Sequence, residues 1–245
     1  MGKNNVREQQ LYKQIEYWQR QKNIPDAGET TDKENENPFI TISREYGCGG
    51  YEIAELVVSE LNHAYKQHPI WGAYDKLILD RISSDMGITN ALADTLTGSA
   101  RRKMTELFQT TFSTFPPQVA VYRKLAEVVR MLAINGHVVI VGRAGNAITR
   151  DMPFGMHVRI IAPMDWKIER IMKLTNISKK DARGLIREKT DDRESFLKEF
   201  VKFESRDPHN YDLVINNADY TVENAAMLII EALKLKGIFK SASIA

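Results

Sequence analysis

The chain has 245 residues, 43% of them hydrophobic and 27% charged, with a net charge of +2. That length suits one large α/β domain or two small ones, and the near-neutral charge argues against a nucleic acid polymer as partner. The single cysteine, Cys48, excludes an internal disulfide and gives no zinc signal, as expected of a cytoplasmic protein, while no secretory signal or membrane span is predicted.

Val6, Leu11, Ile15 and Trp18 recur at helical spacing among polar residues, which predicts an amphipathic helix over 5–22. Such a helix cannot bury its face alone. It docks on the domain, docks on a second subunit as in a homodimer, or frays as a leader. Residues 23–37 are polar with Pro25 and Gly28 and read as a linker, so 1–37 are set apart from a domain over 38–240.

A β-branched strand over 39–43 then runs into a glycine-rich turn and a helix from about 51 to 66. A second strand is expected at 70–74 and a helix from Asp75 to Asp85. Residues 89–113 read as helical and polar, and Pro116 and Pro117 open a helix that runs to Ile134. A third strand at 137–141 leads into a second glycine loop at 142–146. A fourth strand over 156–162 precedes helices at about 165–174 and 178–204. A fifth strand at 212–216 and a helix at 221–236 complete the pattern. Strands alternating with helices predict a parallel sheet covered on both faces, with its site at the carboxyl ends of the strands.

The first loop, from Ser43 to Tyr51, carries the strongest local signal. Gly47, Gly49 and Gly50 let backbone N–H groups approach phosphate oxygens at a helix N-terminus, and Arg44 adds charge. A ligand-free strand–helix turn is the alternative. The usual phosphate-loop signature places Lys and then Ser or Thr where Gly50 and Tyr51 stand. Cys48 reads as a small residue filling the turn rather than a nucleophile.

Asp75 and Arg81, six residues apart after the second strand, suit either a helix cap or a polar nucleotide headgroup. Arg143 directly follows the most apolar strand, where its charge must be solvated or paired, and suits a phosphate. Between residues 183 and 206 a charged helix reads as a solvated face or as a lid. A lid would close Arg187 and Arg193 over a transferring phosphate and exclude water. Mg²⁺ would arrive with the nucleotide, held mostly by phosphates and water.

Four stretches carry a family resemblance. They are 40–54 (ITISREYGCGGYEIA), Tyr74-Asp75-Lys76, 139–143 (VIVGR) and 207–216 (DPHNYDLVIN). On these the chain resembles the cytidylate kinase-like family, relatives of bacterial cytidylate kinase. The resemblance implies a three-layer αβα domain of the phosphate-loop, nucleoside monophosphate kinase type. It has a five-stranded parallel sheet, a helical insert at about 75–113 and a lid at about 178–206. It further implies that Asp75, Arg81 and Arg143 meet the acceptor nucleotide, that Arg187 and Arg193 correspond approximately to lid arginines, and that ATP with Mg²⁺ is the donor. Ala144 stands where cytidylate kinases carry an Asp. Gly50 matches the family's own glycine–glycine form, but Tyr51 replaces the Arg that usually follows. The expected activity is phosphoryl transfer from ATP to a nucleoside monophosphate, with CMP as a candidate. A nucleotide-binding module without turnover is the alternative.

Overall fold

The structure is a computed structural model that describes residues 3–22, 37–64, 70–98, 100–102, 104–106 and 120–238. Five strands, β1 (Phe39–Arg44), β2 (Gly72–Tyr74), β3 (Val138–Val141), β4 (Gly155–Ile161) and β5 (Leu213–Asn216), form one parallel sheet in the order β2-β3-β1-β4-β5. Both faces are covered, and the strands show it residue by residue. Phe39, Val138 and Ile140 join one buried cluster, while Ile40, Ile42, Val139 and Val141 join another. That is the period of two expected of strands buried on both sides.

On the second of these faces lie α2 (Gly50–Ala64) and a C-terminal helix, Val222–Leu235. Ile53, Val57 and Leu61 of α2 share a cluster there with Ile229, Ile230 and Leu233. The opposite face carries α1 (Lys3–Lys22), α3 (Lys76–Ser84), α4 (Met86–Ala93) and α5 (Ala120–Asn135). Asp75 and Asp85 cap the starts of α3 and α4, each accepting two backbone N–H groups of the first turn.

The N-terminal helix docks on its own domain. Leu11, Ile15 and Trp18 are buried in the cluster that holds Tyr74 and Phe39. Gln14 Nε2 donates to the carbonyls of Ile70 and His137 at 2.6 and 3.1 Å, and Gln10 donates to Trp71 O at 2.8 Å. These bonds cover the outer side of β2, an edge strand. Of the placements open to this helix from sequence, the structure shows docking on its own domain.

Several boundaries differ from expectation for local reasons. β2 starts at Gly72 rather than 70, because the backbone of Trp71 pairs with the side chains of Asn62 and Gln10. His137 takes a left-handed conformation, φ 56°, so β3 starts one residue later. The long charged helix stops at Phe196 instead of reaching 204, giving way to a π turn over Leu197–Val201 and a left-handed Lys202. The stretch expected to be helical over 89–113 holds the end of α4, a turn at 94–95 and helical residues at 98, 100–102 and 104–106, while 107–113 lie outside the described residues. The 23–36 linker and the Pro116-Pro117 helix start lie outside the described residues.

A short α6 (Gly145–Thr149) lies between β3 and β4, and two helices joined by a short turn, α7 (Met164–Thr175) and α8 (Lys179–Phe196), lie between β4 and β5. Ile168 and Ile171 of α7 pack with Ala182 and Ile186 of α8 in a small core of their own. The hairpin thus hangs beside the carboxyl end of β1 with its own internal packing.

Candidate functional site: a phosphate-type loop facing an arginine-lined cavity

β1 is the central strand, and the loop that leaves it runs into the N-terminus of α2. Gly47 and Gly49 have φ of +88° and +72°, conformations that a side chain strains and glycine does not. Cys48 is buried between them, and its carbonyl accepts from Asn217 Nδ2 at 3.0 Å. Burial, aided by Glu45, pushes its thiol up to about 12. A thiol so far from ionisation is no nucleophile at neutral pH and serves to fill the turn. Two ion pairs fasten the loop to α7: Lys167 to Glu45 at 2.6 Å, and Arg170 to Glu52, which lies against Gly49.

Gly50 stands where a lysine was missed, and Arg44 explains it. The Arg44 stem crosses Gly50 so closely that a Cβ there would sit 3.0 Å from Arg44 Cγ. The guanidinium ends against Gly142, where a Cβ would collide with Nη1. The Arg44 stem thus passes the first glycine loop and its cation lies at the second, through space that two glycines leave open. Burial and the neighbouring Arg193 and Arg143, opposed by Asp75, push the Arg44 guanidinium down to about 9.

Arg143 leaves the end of β3 through three successive left-handed residues, Gly142, Arg143 and Ala144, with φ of 77°, 50° and 55°. Non-glycine residues in that region mark stored strain. The strain presents Arg143 to Asp80 of α3, 2.5 Å from Nη2 to Oδ1, and Lys76 reaches the same carboxylate at 3.0 Å. Burial opposes ionisation of Asp80, but the hydrogen bonds from Arg143 and Lys76 outweigh it and hold the carboxyl below its usual range. Arg143 Nε is buried with no partner among the described residues.

These side chains face a cavity of about 550 Å³ between the carboxyl ends of β1 and β3 and helix α8. Arg193 of α8 reaches across, with Nη1 3.5 Å from Arg44 O and the guanidinium 5.3 Å from the Tyr46 ring centroid. From β4 comes Arg159, only 7% exposed, donating to Ser43 Oγ at 3.1 Å. Thr41 and Ser43 lie in register with His157 and Arg159, and Thr41 Oγ1 sits 2.8 Å from His157 Nδ1, so one face of two paired strands is polar where it meets the cavity. Phe196, Leu197 and Phe203 supply an apolar wall.

The structure brings Arg44, Arg143 and Arg193 to this cavity and places the other candidates elsewhere. Asp75 caps α3, and its second oxygen meets Arg7 at 3.4 Å. Arg81 is half exposed and pairs with Asp85 and Glu8 at 3.3 and 3.7 Å. Arg187 lines an adjoining cavity of about 440 Å³ with Lys167, Glu45 and Arg206. Tyr51 packs under Arg7, and burial raises its hydroxyl. Arg7, Asp80, Arg159 and Lys167 were not singled out from sequence. The alternation of His157 and Arg159 in an otherwise apolar strand was the available signal for one of them. Among the described residues no cluster of three metal-ligating side chains occurs, and no helix is long and apolar enough to cross a membrane.

A five-stranded parallel sheet covered by helices on both faces, with a glycine loop after its central strand, defines a three-layer αβα protein. Residues 39–219 match the cytidylate kinase-like family, and the chain belongs to that family. An uncharacterized protein from Eubacterium ventriosum has the same fold, with a TM-score of 0.64 at 21% identity over 81% of this chain and 99% of that one. A shikimate kinase from Bacteroides thetaiotaomicron aligns over 80% of this chain and 98% of its own, at TM-score 0.43 and 13% identity. A uronate isomerase from Corynebacterium glutamicum is 28% identical over 104 residues, 42% of this chain. The chain spans about a fifth of that relative's length, 20%.

Proposed function

We propose that the protein transfers a phosphoryl group from ATP to a nucleoside monophosphate, with CMP the first acceptor to try. The observation that carries this reading is the convergence of Arg44, Arg143 and Arg193 on one cavity at the carboxyl ends of β1 and β3. Loop amides from Gly47 to Gly50 would hold the donor phosphates, with the helix end adding positive potential. Arg143, held by Asp80, would position the acceptor phosphate, and Arg193 on the α7–α8 hairpin would neutralise charge in transit. Asp75 and Arg81 keep the acceptor role that the family resemblance gives them. Reaching the cavity would require them to release Arg7, Asp85 and Glu8. Arg187 would close from the adjoining cavity.

An oxygen of the acceptor phosphate attacks the γ-phosphorus in line as the bond to the β–γ bridging oxygen breaks, releasing ADP. No protein nucleophile is needed, and the acceptor oxygen is already anionic at neutral pH. Mg²⁺, entering with the nucleotide, would neutralise the phosphates. We place this activity in the cytoplasm, supported by the lone, unpaired Cys48. The test is formation of a nucleoside diphosphate from ATP and a monophosphate panel.

A second reading, nucleotide binding without turnover, is favoured by one observation: the space for a loop lysine is filled by the Arg44 stem. Calorimetric nucleotide binding without diphosphate formation would select it.

A further inference from the structure

The charges around the cavity do not balance. Glu45 is engaged by Lys167, Glu194 by Arg206, and Asp80 by Arg143 and Lys76. Arg44, Arg159 and Arg193 are left with no carboxylate partner among the described residues. Arg193 reaches a carbonyl of Arg44, and Arg159 reaches the hydroxyls of Ser43 and Tyr211, so all three gather at the last two residues of β1. The Arg44 side chain makes no hydrogen bond or ion pair among the described residues. Arg159 is buried, Arg44 and Arg193 are half-buried, and cations held together in that way are costly unless an anion joins them.

We propose that Arg44, Arg159 and Arg193 form a clamp for a doubly charged phosphate group, with Arg44 entering from β1 in place of a loop lysine. The ligand class is a phosphate monoester or the terminal phosphate of a phosphoanhydride, since a dianion with three exposed oxygens meets three forked donors. The bound group has the apolar wall of Phe196 and Phe203 beside it, which suits a planar body attached to the phosphate. That this phosphate is the one transferred rests on the kinase reading. Its capture does not.

Burial and the facing Arg193 and Arg143 hold the Arg44 guanidinium below its ordinary range, and a bound phosphate would raise it again. Arg44→Met and Arg159→Met keep much of the stem and remove the charge. In calorimetric titration of the full chain with pyrophosphate, each substitution is expected to weaken binding at least tenfold. The melting temperature without ligand is expected to stay equal or rise in Arg44→Met, which a merely structural arginine would not allow. Wild-type affinity in both variants, or no pyrophosphate binding by the wild type, overturns the clamp. Should Arg44→Met fail to fold, Arg159→Met and Arg193→Met decide by the same criterion. Clamp and kinase readings separate cleanly. Pyrophosphate binding lost in the variants, with no transfer by the wild type, keeps the clamp and removes the kinase. Transfer by the wild type with unchanged binding in the variants does the reverse.

Discussion

The Arg7 guanidinium lies across the face of Tyr51, 4.2 Å from the ring centroid, and meets Glu55 and Asp75 at 3.4 Å each. Position 51 carries no cation in sequence, yet α1 delivers one to the same place in space. Helix and loop are therefore coupled. Arg7→Met is expected to cost about 1 kcal/mol, the usual worth of a partly buried cation–π contact with flanking ion pairs. Urea denaturation at neutral pH measures it, and an unchanged midpoint would show that the contact contributes nothing.

The larger consequence concerns α1 as a whole. Leu11, Ile15 and Trp18 are all buried in the main cluster. At about 1.5–3 kcal/mol for each buried side chain, a chain lacking residues 1–22 should lose roughly 5 kcal/mol or more. We propose that α1 and the domain are one folding unit, contrary to the boundary expected at 37. A truncated chain that unfolds at the same urea concentration as the full one would restore that boundary.

Restoring the lysine that the loop lacks should harm the site. Gly50→Lys must push aside the Arg44 stem, since even its Cβ would approach Cγ to 3.0 Å. Pyrophosphate affinity is expected to fall about tenfold, or roughly 1.4 kcal/mol. Tighter binding in Gly50→Lys would mean that Arg44 and a lysine can share the loop.

Two buried histidines set the response to acid. Burial pushes His137 and His157 down to about 4, with Asp212 opposing at His157. The unfolded chain takes up protons near pH 6.5, while the folded chain does not until about pH 4. Unfolding therefore binds protons within that window, and stability falls as pH drops from 6.5 to 4. It is insensitive to these groups above 6.5. Each histidine contributes a slope of at most about 1.4 kcal/mol per pH unit. His157→Gln should remove about half the combined slope between pH 6.5 and 4.5 in urea titrations. An unaltered slope would show that His157 titrates normally in the fold.

Much of the sheet was legible because its signals are local. The Val-Ile run of β3 and the β-branched β1 cannot be solvated, and Asp75 announces a helix start by capping it. Arg143 was legible for a similar reason: a charge directly after a buried strand has to go somewhere. The route of Arg44 was not, because it depends on where Gly142 lies relative to Gly50, a distance fixed by the pairing of β1 with β3. Arg7 reaches Tyr51 only through the docking of α1, which no local spacing reveals. The pairing of Arg81 was not legible either, because it depends on Asp85 one helical turn on and on Glu8 of the docked α1.

Steady-state transfer tests the central claim most directly. The full chain, with ATP, Mg²⁺ and each nucleoside monophosphate in turn, is assayed for the nucleoside diphosphate formed. The expected result is diphosphate formation that depends on one class of acceptor and falls by about 10³-fold in Arg193→Met, the scale on which a lid arginine acts in phosphoryl transfer. Saturable nucleotide binding with no diphosphate formed from any acceptor would contradict it.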